Sequence, residues 1–542
     1  MIKNKRSPIT VAAVSVISLS LAIAGCSTND SNSGSSPDAS ASTTTPKKKG
    51  NISVAVHDRS NVPPEQGTID KNWATDWINA NGPVNVKFVP IPRSSDTSKY
   101  NTLFAAGDVP DIVWSYDSEF KGRLINQQEV MALDEAIEKY SKPYKQLLAS
   151  NPGLKKLTTH SDGHIYQIGR INGLQPNHAL FIRTDWLQKL NLQIPQTTDE
   201  LLQVAKAFAT QDPDGNGKQD TYGIALSGIS GNQIDYMFGN IGNVSKDGKL
   251  VNDWERKEAA LAFKKQAFDA GIVDKDFLND KDGSKAKQAW VTGKLGFYAD
   301  NISIFGGVQT FTTLKQNNPA AQVAVIPLPK SKFGQFSGAI IPPIQVVGVV
   351  NADAKDPQAV VQYIDFLSEK STMVKLAYGD INAEHTLTKD GYPQLKELNN
   401  PKFSWTGDLN ILMSTINFGS QAAYLNSLKP EANPVDKEWI ALYKQAQQAY
   451  LSADRPWPGV TWNEFLPALP NDLQTINSNT SQMGDFFSKA IVSGTSYSVD
   501  KAIKDARDLW DKAGGRDIDT WWGKWYDENK DKVYLTKDLY SK

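Results

Sequence analysis

Short apolar runs that alternate with amphipathic helical patterns limit the fold of this chain more than any other feature. Residues 52–56 alternate apolar and polar side chains as a strand does, 69–80 places two tryptophans and an isoleucine at helical spacing, and 84–90 alternates again. A helical pattern at 100–106 and a short apolar run at 111–114 follow. Strands that alternate with helices predict an α/β fold built on a doubly wound sheet, with a ligand crevice outside the carboxyl ends of the strands.

The alternation continues along the chain without an internal repeat. Thr197 and Glu200 fit a capping box and predict the start of a helix. A strand passes into a helix within 181–187. Further strand patterns stand at 223–225, 295–298, 323–327 and 344–350, and further helical patterns near 201–208, 256–270, 284–291, 356–369, 435–450, 482–493 and 499–513.

The length of 542 residues predicts two lobes, because a single core stops growing at roughly 250 to 300 residues. No linker rich in Pro, Gly or Ser divides the chain after residue 50, so we expect intertwined lobes joined by several crossings. We place the first lobe at about 51–175 plus 300–370 and the second at about 176–299 plus 371–542.

The amino terminus has the pattern of an export signal. Basic residues at the start precede an uncharged stretch at 9–24, which is shorter than the ~20 residues of a membrane-spanning helix, and small residues lead up to Cys26. Cys26 is the only cysteine, so no intramolecular disulfide and no cysteine-based metal centre can form. We predict a signal peptide at 1–25 and a special role for Cys26.

The segment 27–50 cannot form a core, because it has no aromatic and no branched aliphatic residue. It predicts a disordered tether that reaches roughly 25 to 30 Å. The globular body then begins at about residue 51. The chain's 58 basic and 59 acidic residues nearly cancel, and this balance argues against a nucleic-acid partner, which requires a basic face.

Residues 212–220 carry the strongest chemical motif. Oxygen-bearing side chains stand at positions 1, 3, 5 and 9, a glycine at position 6, and a residue that offers its backbone carbonyl at position 7, which is the first part of a calcium loop. Position 12 is Gly223 and not a bidentate Glu, so we expect a structural site, completed by ligands from elsewhere or by water, in preference to an EF-hand sensor. An Asx-rich turn without metal remains the alternative. The expected ligands are Asp212, Asp214, Asn216, the Lys218 carbonyl and Asp220.

Short catalytic motifs are absent from the sequence. It contains no G-x-S-x-G, H-E-x-x-H, G-x-G-x-x-G or phosphate-loop pattern, and its five histidines are scattered. We therefore expect no enzyme activity. A carboxylate pair for glycoside hydrolysis stays open, because such a pair is defined by separation in space.

The chain resembles the extracellular solute-binding lipoproteins of ABC importers for oligosaccharides. The resemblance covers nearly the whole length and rests on several weak motifs in a characteristic order. They are the lipobox 21–26, the turn 106–112, the segment 182–187, the segment 293–297 and the late segment 512–515. The loop at 212–220 is similar to that of the calcium-binding, alginate-binding subset, but Thr221 stands where that subset has a further acidic ligand.

This resemblance implies two α/β lobes of the periplasmic-binding-protein type, which close over a sugar and deliver it to the permease subunits. It also implies that the Cys26 thiol is diacylated, with chains such as palmitate, after cleavage of the signal peptide. The protein would then be a monomer on the outer face of a cell membrane, held there through its lipid anchor alone, and the long tether favours a Gram-positive envelope.

Candidate ligand-binding residues follow from what sugar recognition needs, which is flat aromatic faces and planar polar groups in a cleft. Some candidates end predicted strands, and others lie in turns or in irregular stretches. They are Trp114, Tyr116, Asp117, Asn177, His178, Tyr298, Asp300, Asn301, Glu384, His385, Trp405 and Trp462. We expect the tryptophans at 521, 522 and 525 to seal the tail helix.

We therefore predict a membrane-anchored receptor that captures an oligosaccharide and does no chemistry. Two alternatives remain open: a secreted, lipid-anchored glycoside hydrolase or lyase, and an adhesin-like lipoprotein stiffened by calcium. Many tryptophans and carboxylates fit the first alternative as well as a receptor.

Overall fold

The computed structural model describes residues 49–246, 248–302, 307–398, 400–413, 434–462, 465–467, 469–530 and 535–536. The predicted signal peptide, Cys26 and almost the whole predicted tether lie outside these residues. Within them the chain is a mixed α/β protein, as the sequence predicts. No helix in the described part is long and apolar enough to span a membrane.

The first sheet has five strands, of which three are parallel neighbours. Gly50–Asp58 pairs in parallel with Val84–Pro92 on one side and with Ile112–Trp114 on the other. Ile344–Val350 runs antiparallel between Ile112–Trp114 and Gln167–Ile171. The carboxyl ends of the parallel strands therefore lie at one edge of the sheet. The residues that follow Trp114 begin at this edge.

Helices cover both faces of this sheet. The helix Trp73–Asn81 begins with a complete capping box, in which the Asn72 side chain accepts from the backbone of Thr75 and the Thr75 hydroxyl accepts from the backbone of Asn72. Its Ile78 is fully buried. The other helices of this half are Asp96–Ala106, Ser118–Asn126, Asp134–Tyr140, Pro143–Ser150, Pro152–Thr158, Pro357–Ser368 and Lys370–Tyr378.

The second sheet has four strands in the order Val323–Ile326, His178–Arg183, Leu295–Asn301 and Tyr222–Ile224. Its core contains Phe208, which packs against Phe297 with ring centroids 5.5 Å apart. In the described residues outside this half, the α-helices are Thr184–Lys189, Thr198–Thr210, Gly228–Met237, Trp254–Asp269, Ser284–Val291, Val308–Asn317, Pro434–Tyr450, Asn471–Asn479, Met483–Val492, Val499–Ala513 and Gly515–Asn529.

The predicted capping box at the helix Thr198–Thr210 forms only in part. The Thr197 hydroxyl accepts from the backbone of Glu200 at 3.2 Å, as expected. The Glu200 carboxylate, however, accepts from the backbone of Gln196 at 2.7 Å and not from that of Thr197. The reciprocal bond has moved one residue upstream.

A short ribbon joins the two sheets. Gln175–Pro176 leads from the first sheet to the second, Ile340–Ile341 leads back, and the two pair in antiparallel fashion. The sheets are thus linked by two adjacent crossings of the chain.

Two segments differ from the predicted lobe boundaries. Val323–Ile326, which we had placed in the first lobe, pairs with His178–Arg183 in the second sheet. Trp405 and Leu409, which we had placed in the second lobe, are buried in the core beneath the first sheet. Strand pairing and core packing across long sequence separations decide both assignments.

Candidate functional site

A cleft of about 700 Å³ lies at the carboxyl edge of the first sheet and also borders the start of the second. Tyr116 and Asp117 reach it because they follow the strand Ile112–Trp114. Gln345 reaches the same edge from the opposite direction, since the strand Ile344–Val350 is antiparallel. Asn177 enters from the beginning of the second sheet. This is the crevice that a doubly wound sheet predicts.

Aromatic side chains form a large part of the cleft wall. They are Tyr116, Tyr236, Trp457, Trp462, Trp522 and Trp525. The rings of Tyr236 and Trp457 meet edge to face with centroids 5.0 Å apart, and those of Trp522 and Trp525 are nearly perpendicular at 5.5 Å. Rings that meet edge to face present their flat faces in different directions along this wall.

Tyr116 rests on a charged network at the edge of the first sheet. The His57 ring stacks with the Tyr116 ring at 5.7 Å between centroids, and the Arg93 guanidinium lies 5.1 Å from the centroid of the same ring. His57 is buried between two carboxylates, with Nε2 3.4 Å from Asp96 and Nδ1 3.6 Å from Asp408. These contacts fix the position of the tyrosine at the cleft.

Two carboxylates lie in the cleft wall. Asp117 caps the helix Ser118–Asn126, since its side chain accepts from the backbone of Phe120 at 3.0 Å. The pKa of Glu119 is raised, mainly because burial removes solvent from the carboxylate and to a smaller extent because the negative charge of Asp117 is nearby. Burial and the neighbouring carboxylate thus both make the ionised form of Glu119 less favourable.

His178 contributes an uncharged imidazole to the cleft. It begins the strand His178–Arg183, and its Nδ1 is buried without a hydrogen-bond partner. Burial lowers the pKa of His178 from 6.5 to about 4. At neutral pH this ring can donate to a hydroxyl or accept from one, but it supplies no positive charge.

The structure brings five of the twelve predicted ligand-binding residues to the cleft. They are Tyr116, Asp117, Asn177, His178 and Trp462. Two others lie in the core instead, because Trp114 and Trp405 are each 2% exposed and pack beneath the first sheet. Trp114 is the last residue of the strand Ile112–Trp114, so it lies within the sheet and not in the chain that follows it.

The remaining five predicted residues also lie away from the cleft lining. Tyr298 stacks on Trp290 at 5.3 Å, and Asp300 lines a small internal cavity with that tryptophan. They share the strand Leu295–Asn301, which also holds Asn301, opposite His178 in the register. Later in the chain, His385 is 3% exposed and Glu384 forms an ion pair with Lys402.

Several cleft residues did not stand out in the sequence. Trp522 and Trp525 do pack in the tail-helix core, as expected, but they also line the cleft. Glu119, Tyr236 and Gln345 were not predicted at all, although Glu119 is two residues beyond Asp117 in a segment already placed at the sheet edge.

The predicted calcium loop is an exposed, oxygen-rich turn. Asp212 accepts from three backbone N–H groups within the loop, each at 3.1 Å. The Asn216 amide nitrogen donates to Asp214 at 2.8 Å and to Asp220 at 3.0 Å, so an amide stands between two carboxylates. Lys294 pairs with Asp220 at 2.8 Å. In the part of the chain that the structure describes, no three His, Cys, Asp or Glu side chains are grouped so that they could hold a metal ion.

A second concavity of about 870 Å³ lies on the helical outside of the first sheet. Its lining includes Tyr140, Asp365 and Phe366 but none of the predicted ligand-binding residues. It lies outside the carboxyl edge of the sheet and has few aromatic faces, so the cleft at Tyr116 is the better candidate site.

Comparisons with known proteins agree with this fold. The family described as bacterial extracellular solute-binding protein matches residues 62–374, more than half of the chain. Lipoprotein LipO of Bacillus subtilis is 25% identical over 465 residues, which cover 82% of this chain and 87% of the relative. FusA of Streptococcus pneumoniae, a fructooligosaccharide ABC transporter substrate-binding protein, is 30% identical over 247 residues, 41% of this chain and 45% of the relative.

Solved structures match over nearly the whole chain. FusA of S. pneumoniae in complex with kestose superposes with a TM-score of 0.68 at 21% identity, over 89% of this chain and 99% of the other. The alginate-binding protein AlgQ2 without calcium ion gives a TM-score of 0.66 at 18% identity, over 90% and 99%. These neighbours show a periplasmic-binding-protein-like fold, as predicted. The chain belongs to the family of bacterial extracellular solute-binding proteins.

Proposed function

We propose that this protein captures an oligosaccharide outside the cell and delivers it to the permease of an ABC importer. The observation that carries the proposal is the cleft of about 700 Å³, whose wall combines six aromatic side chains with hydrogen-bonding groups. Aromatic faces pack on the C–H faces of sugar rings, and polar side chains bond the hydroxyls. The name of FusA, an ABC transporter protein for fructooligosaccharides, adds support.

Capture would proceed by closure of the two sheets and their helices over the sugar. The paired crossings Gln175–Pro176 and Ile340–Ile341 offer a hinge beside the cleft, and hinge closure around a ligand is common in binding proteins of this type. One chain supplies both walls of the cleft, so we propose that it works as a monomer. Solution scattering with and without sugar should show compaction at unchanged mass.

Calorimetry against a panel of oligosaccharides tests the proposal. We expect at least one to bind at roughly micromolar concentration or below. Tyr116→Ala should weaken that binding, whereas Tyr140→Ala, on the outer concavity, should leave it unchanged. Failure of every oligosaccharide to bind, or equal effects of the two substitutions, would count against a sugar site in the cleft.

We further propose that binding is not followed by chemistry. The family and the matched relatives are binding proteins, which supports a receptor over a glycoside hydrolase or lyase. A reducing-sugar assay with the bound oligosaccharide should detect no new chain ends over hours. Release of shorter products would establish the enzyme alternative, and absence of any small-molecule ligand would favour the adhesin-like one.

The anchor proposal concerns Cys26, which precedes the described residues. A lipobox followed by a core-free tether supports diacylation of the Cys26 thiol, and the matched relative LipO is named a lipoprotein. Two acyl chains give stable membrane attachment where one is marginal. Cys26→Ser should move the protein from the membrane fraction to the medium; unchanged membrane association would refute the anchor.

The calcium proposal rests on the loop chemistry. Asp212, Asp214, Asn216, the Lys218 carbonyl and Asp220 offer only oxygen ligands, as a hard cation requires. In the described residues the three aspartates of the loop are not gathered into a metal-holding group, so calcium binding would require them to move together and the Asn216 amide, whose nitrogen now bridges two carboxylates, to present its oxygen. Bound calcium would supply no chemistry to the cleft and would only hold the loop in place.

Thermal unfolding with calcium and with a chelator tests this site. If 1 mM calcium exceeds the Kd about a hundredfold, it should stabilise the folded protein by about 2.7 kcal/mol. Asp214→Ala should remove that response, and Asp282→Ala, in another exposed turn, should not. An identical unfolding temperature with calcium and with chelator would refute the proposal.

A further inference from the structure

The side chains of the described cleft wall that carry a charge at neutral pH are all acidic. Among the described residues that line it, the acids are Asp117 and Glu119, and there is neither a lysine nor an arginine. His178 adds no charge at neutral pH, because burial lowers its pKa to about 4. In the part of the wall that the structure describes, an anionic ligand would therefore find no cationic side chain. Buried anions require such charged partners.

Four cations close to the cleft are engaged with other protein groups. One of them, Arg170, donates to the side-chain oxygen of the cleft-lining Gln345 at 2.8 Å and to the backbone carbonyl of Ile411 at 2.7 Å. Arg93, beside Tyr116, pairs with Asp96 at 3.0 Å. Arg59 donates two hydrogen bonds to Asp408, of which the one from Nη2 to Oδ1 is 3.0 Å long. Lys121 is fully buried behind the wall, where its ammonium donates to the backbone carbonyl of Ser115 at 2.8 Å. Turning any of these toward a ligand would leave a buried carboxylate or carbonyl without its partner.

We propose that the cleft selects an uncharged oligosaccharide and discriminates against uronic-acid and sulfated sugars. The proposal rests on the proposed function and adds the chemical class of the ligand. When ionised, the carboxylates of Glu119 and Asp117 accept hydrogen bonds and donate none, so the hydroxyl groups of a neutral sugar can donate to them. A sugar carboxylate at the same place meets like charge.

Coulomb's law gives the size of the discrimination. At the dielectric constant of water, two like charges about 6 Å apart weaken binding about threefold, and at the effective value near a protein surface they weaken it about a hundredfold. A neutral oligosaccharide loses nothing by this term, since its hydroxyls keep charge-assisted hydrogen bonds to both acids.

The test compares a neutral oligosaccharide with its partner oxidised at C6 to the uronic acid. A panel of neutral, uronic, sulfated and amino-sugar oligosaccharides first identifies a neutral ligand, and calorimetry at pH 7 then compares that ligand with its oxidised form. We expect the oxidised form to bind more weakly by about threefold or more. Glu119→Gln should reduce the difference in affinity between the neutral and the oxidised ligand. Glu138→Gln, at a 75% exposed side chain of another helix, should leave that difference unchanged.

Different results separate this inference from the proposed function. Binding of uronic or sulfated sugars as tightly as neutral ones would overturn the inference and keep the oligosaccharide receptor. Tighter binding of an amino-sugar oligosaccharide would likewise overturn it, in favour of a cationic ligand. Absence of binding to every member of the panel would overturn both.

Discussion

The uncharged state of His178 should make the stability of this protein depend on pH in a defined window. Burial lowers the pKa of His178 from 6.5 to about 4 in the folded protein. Between these values the unfolded chain binds a proton at this residue that the folded chain does not. The free energy of unfolding is therefore highest above pH 6.5 and falls as the pH drops toward 4.

The size of the effect follows from the two pKa values. At about 1.4 kcal/mol for each unit of pKa, the full difference amounts to about 3 kcal/mol. Most of it is accessible under mild conditions, since the loss between pH 7 and pH 5 is about 2 kcal/mol. Such a loss is a sizeable part of the roughly 5 to 15 kcal/mol that stabilises a folded protein.

Chemical denaturation from pH 7 to pH 5, on the wild type and on His178→Asn, measures this contribution. Other groups titrate in the same range, so the informative quantity is the difference between the two pH dependences. We expect the wild type to lose about 2 kcal/mol more than the variant. His160→Asn, in an exposed turn, is the matched control and should follow the wild type. Parallel curves for the wild type and His178→Asn would refute the reasoning.

Three further predictions concern packing and capping. Trp525→Ala should weaken sugar binding by about 2 kcal/mol in calorimetry, while Trp521→Ala on the same helix, outside the cleft lining, should not; equal losses would contradict the assignment. Gly223→Ala should destabilise by about 3 kcal/mol in denaturation, because the new methyl would lie 2.2 Å from the Ala205 carbonyl oxygen, and unchanged stability would exclude that contact. Asn72→Ala should lower the free energy of unfolding by about 1 to 2 kcal/mol in denaturation, because the first turn of the helix loses its capping hydrogen bonds; an unchanged value would mean that water replaces those bonds.

Local patterns predicted the elements of the fold well because they report which face of an element is buried. The alternation at 84–90 corresponds to the strand Val84–Pro92, whose residues alternate between buried and exposed. The helical spacing before it corresponds to the helix Trp73–Asn81. In the same way, Tyr116 was found from its place at the carboxyl end of a buried strand.

Local patterns do not specify which distant segment covers a side chain. Trp405 stands in an irregular stretch that looks exposed, yet it is buried beneath the first sheet by residues far away in sequence. Trp525 lies in a helical aromatic run that suggests core packing alone, but its helix also borders the cleft. Both outcomes depend on tertiary contacts between segments far apart in the chain, which no short window of sequence contains.

A crystal structure of the protein purified with its natural ligand tests the central claim most directly. We predict electron density for an uncharged oligosaccharide in the cleft, in contact with Tyr116 on the side of the first sheet and with Trp462 on the opposite wall. A ligand bound in the outer concavity at Tyr140, or a ligand that is not a sugar, would contradict the account.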